Sequence, residues 1–284
     1  MQVLAIDIGG TSIKSAIAHI DGSEIFLTNK KSTPFDNQNP SASITEAVHK
    51  YPTAAFEYVA VSATGVINKA GVVVGTNGMI ENYLGLSIKG LVEQLTSKPA
   101  AVVNDVAAIG YAEVNNLAPE EIHLVIALGT GIGGTLIYKN NVLEGANGAF
   151  AEIGQIDIEG SKYEQLGSTK ALVNLAKHKY NLNIDNGVEF FEGLSSQVDY
   201  QQCFEEWTQN IAKGLKQLIY CYNPHTIVLA GGVSVQADLI IPSLYKQLED
   251  MQSVYINNLK IKAAISCNDA GLIGAVQKLR RELC

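Results

Sequence analysis

No apolar run in this sequence is long enough to cross a membrane, which takes about 20 residues. The nearest candidate, His123 to Tyr138, is interrupted by four glycines and two threonines. The start lacks a basic segment followed by an apolar stretch, so no secretory leader is expected and the expected compartment is the cytoplasm. Basic residues are in the minority, 20 Lys and Arg against 28 Asp and Glu. A net charge of −8 argues against a nucleic-acid surface, which needs a basic patch. Cysteine is scarce: Cys203, Cys221, Cys267 and Cys284 form no C-x-x-C pair. Reduced thiols are therefore expected, two of them packed in helices, and zinc binding by these four is not. What is present is apolar: 47% hydrophobic residues against 17% charged describe a well-cored globular chain. Its 284 residues allow one large domain or two modest ones.

The stretch Leu4-Ala5-Ile6-Asp7-Ile8-Gly9-Gly10-Thr11-Ser12-Ile13-Lys14 reads as a strand ending in a carboxylate, a tight Gly-Gly-Thr turn and a second strand. Glycines admit an anion close to the backbone, and turn N–H groups can point at phosphate oxygens. Thr11 and Lys14 add donors. An Asp beside polyphosphate is a magnesium handle, because hard cations take carboxylate oxygen and water. An ordinary hairpin in which Asp7 and Thr11 satisfy the turn accounts for the segment equally well.

The same order returns near the middle. Leu124 to Leu128 runs into Gly129-Thr130-Gly131-Ile132-Gly133-Gly134, then Thr135 to Tyr138 and a Lys139-Asn140-Asn141 turn. This loop also fits G-x-G-x-x-G, but a dinucleotide fingerprint requires a helix next. The alternation after Gly134 continues as a strand, which leaves a hairpin loop that holds phosphates. The echo predicts two lobes of related topology facing one cleft. Between the copies, helices are expected at about 41–50, 87–96 and 105–117, with strands near 58–62, 71–75 and 100–103. Further on, helices are expected near 168–180, 200–222 and 235–250, strands at 226–230 and 261–265, and a final helix from Asn268-Asp269 with Asp269 as N-cap. The 200–222 helix stops before Pro224. Stretches 29–41 and 181–198 read as loops. Alternating strands and helices give an α/β class.

Asn104-Asp105 falls where a strand becomes a helix. A carboxylate held there suits proton abstraction from a hydroxyl, and a plain helix N-cap explains it too. Gly145 to Gln155 is a Gly-rich loop carrying Glu152 and Gln155, polar partners suited to sugar hydroxyls. Glu164 precedes a helix opened by Ser168, where capping is the competing role.

Taken in order, these motifs resemble the ROK family of sugar kinases and repressors, within the actin-like ATPase superfamily. The resemblance spans essentially the whole chain and rests on Asp7 to Thr11, Ser62 to Ile67, Asn104-Asp105, Gly129 to Gly134, Gly148 to Gly154, Gly231-Gly232-Val233-Ser234 and Asn268 to Ala275. It implies a two-lobed, ribonuclease H-like α/β fold with the active site in the interlobe cleft. The small lobe would comprise 1–107 and 272–284, the large lobe 108–271. By the same resemblance Asp105 is the base facing a sugar 6-hydroxyl, while Gly65, Asn77, Asn104, Glu152, Gln155 and Glu164 bind the sugar. Gly9, Gly10, Thr11, Lys14, Thr130, Gly131 and Gly133 hold ATP phosphates, Gly231, Gly232 and Val233 line the nucleoside, and Asp7 holds Mg2+ through water. A homodimer is also implied.

One departure stands out. Many family members have Glu-Ile-Gly-His followed by a zinc-binding cysteine cluster. Here Gln155 replaces the His, and Ile156 to Gln165 contains neither Cys nor His. No structural zinc is expected, as in the branch with N-acetylmannosamine and β-glucoside kinases. The expected activity is ATP-dependent phosphorylation of a free hexose or N-acetylmannosamine, with a β-glucoside as alternative. A silent sugar sensor is a distant rival. A repressor is disfavoured because only six residues precede Asp7, too few for a helix-turn-helix.

Overall fold

The computed structural model describes residues 1–195 and 197–283, without the Cys267 side chain. β1 (Gln2–Ile8), β2 (Ser12–Asp21) and β3 (Glu24–Pro34) form an antiparallel meander. α1 (Pro40–His49), β4 (Tyr58–Ala63), the short pair β5 (Val66–Ile67) and β6 (Val73–Gly75), α2 (Ile88–Thr96), β7 (Ala100–Asn104) and α3 (Asp105–Glu113) follow. Next come β8 (Ile122–Leu128), β9 (Ile132–Tyr138), β10 (Asn141–Val142), β11 (Asp157–Ile158), β12 (Ser161–Lys162), α4 (Tyr163–Gly167) and α5 (Thr169–His178). α6 (Gly187–Gly193), α7 (Val198–Tyr222), β13 (Thr226–Ala230), α8 (Ala237–Leu248), α9 (Ser253–Ile256), β14 (Lys260–Ala263) and α10 (Ala270–Leu283) complete the order.

The chain divides into two compact units. One holds Met1–Asn116, Val142–Phe150 and the chain from Asn268 onward; the other holds Leu117–Asn141 and Ala151–Cys267. Each is built on a five-stranded sheet, β3-β2-β1-β4-β7 in the first and β10-β9-β8-β13-β14 in the second. β1 runs antiparallel to β2 and parallel to β4, and β8 likewise to β9 and β13. The echo read from the sequence is thus a repeat of topology. The division differs from the expected 1–107 plus 272–284 against 108–271. α3 stays with the first unit because it packs directly on α10: a Cβ on Gly274 would lie only 1.7 Å from the Ala108 carbonyl oxygen. Segment 142–150 joins that unit too, with Glu144 taking the Tyr111 hydroxyl at 2.6 Å and the Lys278 ammonium at 2.6 Å.

Local signals explain most boundaries. Asn39 accepts the Ala42 N–H ahead of Pro40, Ser87 accepts from Gly90, and α7 ends at Asn223 in a left-handed conformation before Pro224. β1 is central and buried, so its apolar run is continuous; Leu4, Ile6 and Ile8 enter the first unit's core with Ile44, Val61 and Tyr83. The second core centres on buried Trp207, whose Nε1 donates to the Gly167 carbonyl at 3.1 Å.

Two expected loops contain regular structure. Residues 29–34 belong to β3, an edge strand whose alternation is mostly polar because much of it faces water. Within 181–198, α6 forms because Asn186 caps it and Phe190 and Phe191 join the Trp207 and Tyr200 rings. Glu164 precedes α5, which Ser168 caps as expected, and itself lies in the additional short helix α4. Cys203 is a buried free thiol and Cys221 an exposed one, both on α7. The Cys267 side chain and Cys284 lie outside the described residues. No described helix is long and apolar enough to cross a membrane.

Candidate active site

In the first unit, Asp7, one residue before the end of β1, pairs with Lys14 on β2 and Ser62 on β4. Ser62 Oγ donates to Asp7 Oδ1 at 2.8 Å. Burial raises the Asp7 pKa, and the Ser62 bond and the Lys14 charge offset part of that shift. The α10 backbone comes right up to the carboxylate, since a Cβ on Gly271 would sit 2.3 Å from Asp7 Oδ1. Lys14 Nζ donates to the Asn268 carbonyl at 3.2 Å. The Gly9–Thr11 turn closes through Gly9 N–H to Ser12 O at 3.1 Å, and Thr11 O accepts from Phe35.

Asp105 opens α3. Asn104 caps the helix, its Oδ1 accepting from Val106 and Ala107 at 2.9 and 3.0 Å. Asn104 Nδ2 donates to Gly65 O and to Asp105 Oδ1, both at 2.9 Å. The capping role and the positioning role therefore coexist. Both the base candidate and the Gly65 turn are fixed by one amide. Gly65 has φ +88 and would drive a Cβ to 2.8 Å from Gly75 O, so only glycine fits. Tyr83 donates to Thr64 O, and burial together with the Asp105 charge raises its phenol pKa. Asn77 is exposed and its Oδ1 accepts from Met79 N–H.

In the second unit, Gly129 N–H bonds Gly131 O at 3.0 Å, and Thr169 at the start of α5 bonds Gly129 O at 2.8 Å. β8 and β13 lie side by side, so Gly231-Gly232-Val233 follows the strand next to the Thr130 loop. Gly231, at φ +86, presses on Leu128 O. Gly10, Gly129 and Gly232 differ from it: none has a left-handed backbone, and a Cβ on each meets nothing within 4 Å. The protein's own packing gives no reason for glycine there, whereas a ligand drawn against the backbone does. Gly133 pairs with Ala127 in the hairpin.

Glu152 precedes the turn Ile153–Gln155, directly after Ala151 at φ +57. Burial, and then the Glu164 charge, raises its pKa. Gln155 Nε2 donates to Glu164 Oε1 at 2.9 Å, and Gln155 Oε1 accepts from Lys162 Nζ at 2.7 Å. Glu164 Oε2 lies 2.9 Å from where a Gly131 Cβ would stand. Lys162, Ser62 and Gly271 had no role in the sequence reading; only Ser62 and Gly271 fell within its motifs. Among the described residues no three His, Cys, Asp or Glu side chains gather as a metal cluster. For magnesium the fit is of another kind. One partly buried carboxylate, raised in pKa by desolvation, suits an ion that takes its other ligands from phosphates and water.

The ROK family model matches residues 3–282. The chain is 31% identical to an N-acetylmannosamine kinase of Escherichia coli O6:H1, over 97% of each protein. It is 25% identical to a β-glucoside kinase of Klebsiella pneumoniae, over 97% of this chain and 95% of that one. A crystal structure of a ROK family protein from Streptococcus pneumoniae, in complex with sucrose, superposes with a TM-score of 0.85 at 25% identity, over 100% and 99% of the two chains. The repeated five-stranded topology, the Asp7 and Thr130 loops and the Asn104-Asp105 junction are those of one family: this chain belongs to the ROK family.

Proposed function

We propose that this ROK sugar kinase transfers the γ-phosphoryl group of ATP to the 6-hydroxyl of a free hexose or of N-acetylmannosamine. The observation that carries the reading is Asp105, a carboxylate fixed at a helix N-terminus by the Asn104 amide, which is itself bonded to Gly65. Phosphoryl transfer asks for alignment and charge neutralisation more than covalent help. Asp105 accepts the hydroxyl proton as the sugar oxygen bonds to the γ-phosphorus and the bond to ADP breaks. Asp7 would hold the magnesium ion, which when bound neutralises phosphate charge. The glycines at 10, 129 and 232 leave the backbone open for the nucleotide. Glu152 and Glu164 bind sugar hydroxyls, Glu164 toward the anomeric end. A retained carboxylate there favours a free 1-hydroxyl, because a substituted one leaves the acceptor unpaired. The kinase acts in the cytoplasm as a homodimer.

A second reading, a β-glucoside as substrate, is favoured by Met79 and Leu84. Both are exposed, 66% and 63%, on the stretch that follows Asn77, and offer apolar surface to an aglycone. The test is ATP consumption with glucose, fructose, N-acetylmannosamine, N-acetylglucosamine and cellobiose. A free sugar is expected to give the highest kcat/KM; cellobiose above every monosaccharide overturns the Glu164 argument. Asp105→Asn should lower turnover by about 10²–10⁴ while sugar binding survives. Near wild-type turnover in that variant removes Asp105 as the base, and no ATP consumption with any sugar favours a silent sensor.

A further inference from the structure

Where relatives of this family place a zinc cluster, this chain has a two-residue hairpin. β11 and β12 pair through Asp157–Lys162 and Ile158–Ser161, and Glu159 and Gly160 turn at φ +55 and +84. Gly160 N–H bonds Asp157 Oδ1 at 2.9 Å, and Lys213 on α7 holds the tip through Glu159 at 2.7 Å. The hairpin ends at Lys162, whose own N–H is taken by Gln165 Oε1. Its ammonium then reaches back to Gln155.

The polarity of that relay is forced. Lys has only donors and a carboxylate only acceptors, so the Gln155 amide can serve both in one orientation alone. Oxygen faces Lys162 at 2.7 Å and nitrogen faces Glu164 Oε1 at 2.9 Å. The other Glu164 oxygen has room only because residue 131 is glycine: a Cβ there would stand 2.9 Å from it.

We propose that Lys162 and Gln155 are positioning residues: they orient Glu164 toward the sugar's anomeric hydroxyl and touch no substrate themselves. The hairpin thereby supplies by hydrogen bonds the rigidity that a metal cluster supplies elsewhere in the family. This rests on the sugar-kinase reading given above.

The test compares a phosphorylated free sugar with its 1-deoxy analogue, which gives Glu164 nothing to bind. Lys162→Met and Gln155→Leu should each raise KM for the free sugar about tenfold. The loss should appear in KM rather than kcat, and KM for the 1-deoxy analogue should not move. The double variant should be no worse than either single, since one chain is broken once, and Lys162→Arg should restore KM. Equal losses for both sugars, additive losses, or no loss overturn the positioning role while leaving kinase activity intact. A wild-type protein that phosphorylates no sugar overturns the reading beneath it as well.

Discussion

Gly274→Ala tests whether helix packing sets the position of Asp105, the base proposed above. The new Cβ would stand 1.7 Å from the Ala108 carbonyl oxygen and 2.4 Å from its carbon. A carbon and a carbonyl oxygen approach to about 3.3 Å, so α3 and α10 must part locally by about 1.5 Å. Alanine gains about 1 kcal/mol of helix propensity over glycine. Forcing volume against a fixed backbone costs about 3 kcal/mol. The net loss is about 2 kcal/mol, or about 4–8 °C in Tm for a chain of this size. α3 begins at Asp105, one turn before Ala108, so a shift of that size should also lower kcat by about 10². Thermal melts and steady-state kinetics read both effects. The obstacle is a backbone atom, so adding Ala108→Gly should not rescue. Gly10→Ala, with nothing within 4 Å, should leave Tm within about 1 °C yet weaken ATP use. An unchanged Tm and full kcat in Gly274→Ala would refute the packing argument.

Asp7→Asn should raise Tm at neutral pH, because a buried charge is removed while Ser62 keeps an acceptor, and should lower ATP turnover by about 10² or more; a lower Tm in the variant contradicts the desolvation argument. Burial and Glu164 raise the Glu152 pKa above its unfolded value, so the folded state holds that proton more firmly. Its contribution to stability is full below the unfolded pKa and is lost as pH rises through the raised one. Melts of Glu152→Gln should show a higher neutral Tm, with the gain over wild type shrinking as pH falls through the raised pKa; a gain that grows toward acid would reverse the sign. Metal analysis after mild chelation should find no stoichiometric zinc, with the protein still folded; one tightly held zinc per chain would show that the 155–165 segment is misread.

Much of this was legible in the sequence because local patterns coincide with buried elements. The apolar alternation around Asp7 and Thr130, the Asn104 cap and the Pro224 stop each need only neighbouring residues. What stayed hidden depends on distant partners. β3 reads as a loop at 29–34 because Lys30, Lys31 and Ser32 lie on a sheet edge, where water rather than a core sets the pattern. α6, with a glycine at each end, is held by rings 10–16 residues away in the chain, from Phe190 to Tyr200 and from Phe191 to Trp207. Gln155 took the place of a substrate ligand by alignment, but its bonds to Lys162 and Glu164 exist only once the hairpin forms. Gly271 and Gly274 were visible as a motif; why they are glycines emerges from Asp7 and Ala108, more than 150 residues earlier.

The return of α10 to the first unit has a consequence for synthesis. Chains fold as they are made, N-terminal parts first, yet β1, β4 and β7 await a helix encoded after the whole second unit. Until residues 270–283 emerge, Asp7 lacks its neighbour Gly271 and α3 lacks the surface that seats Asp105. A ribosome-bound chain halted before residue 268 therefore carries an unfinished first unit. Sugar-dependent ATP consumption is therefore expected only once that last segment has docked.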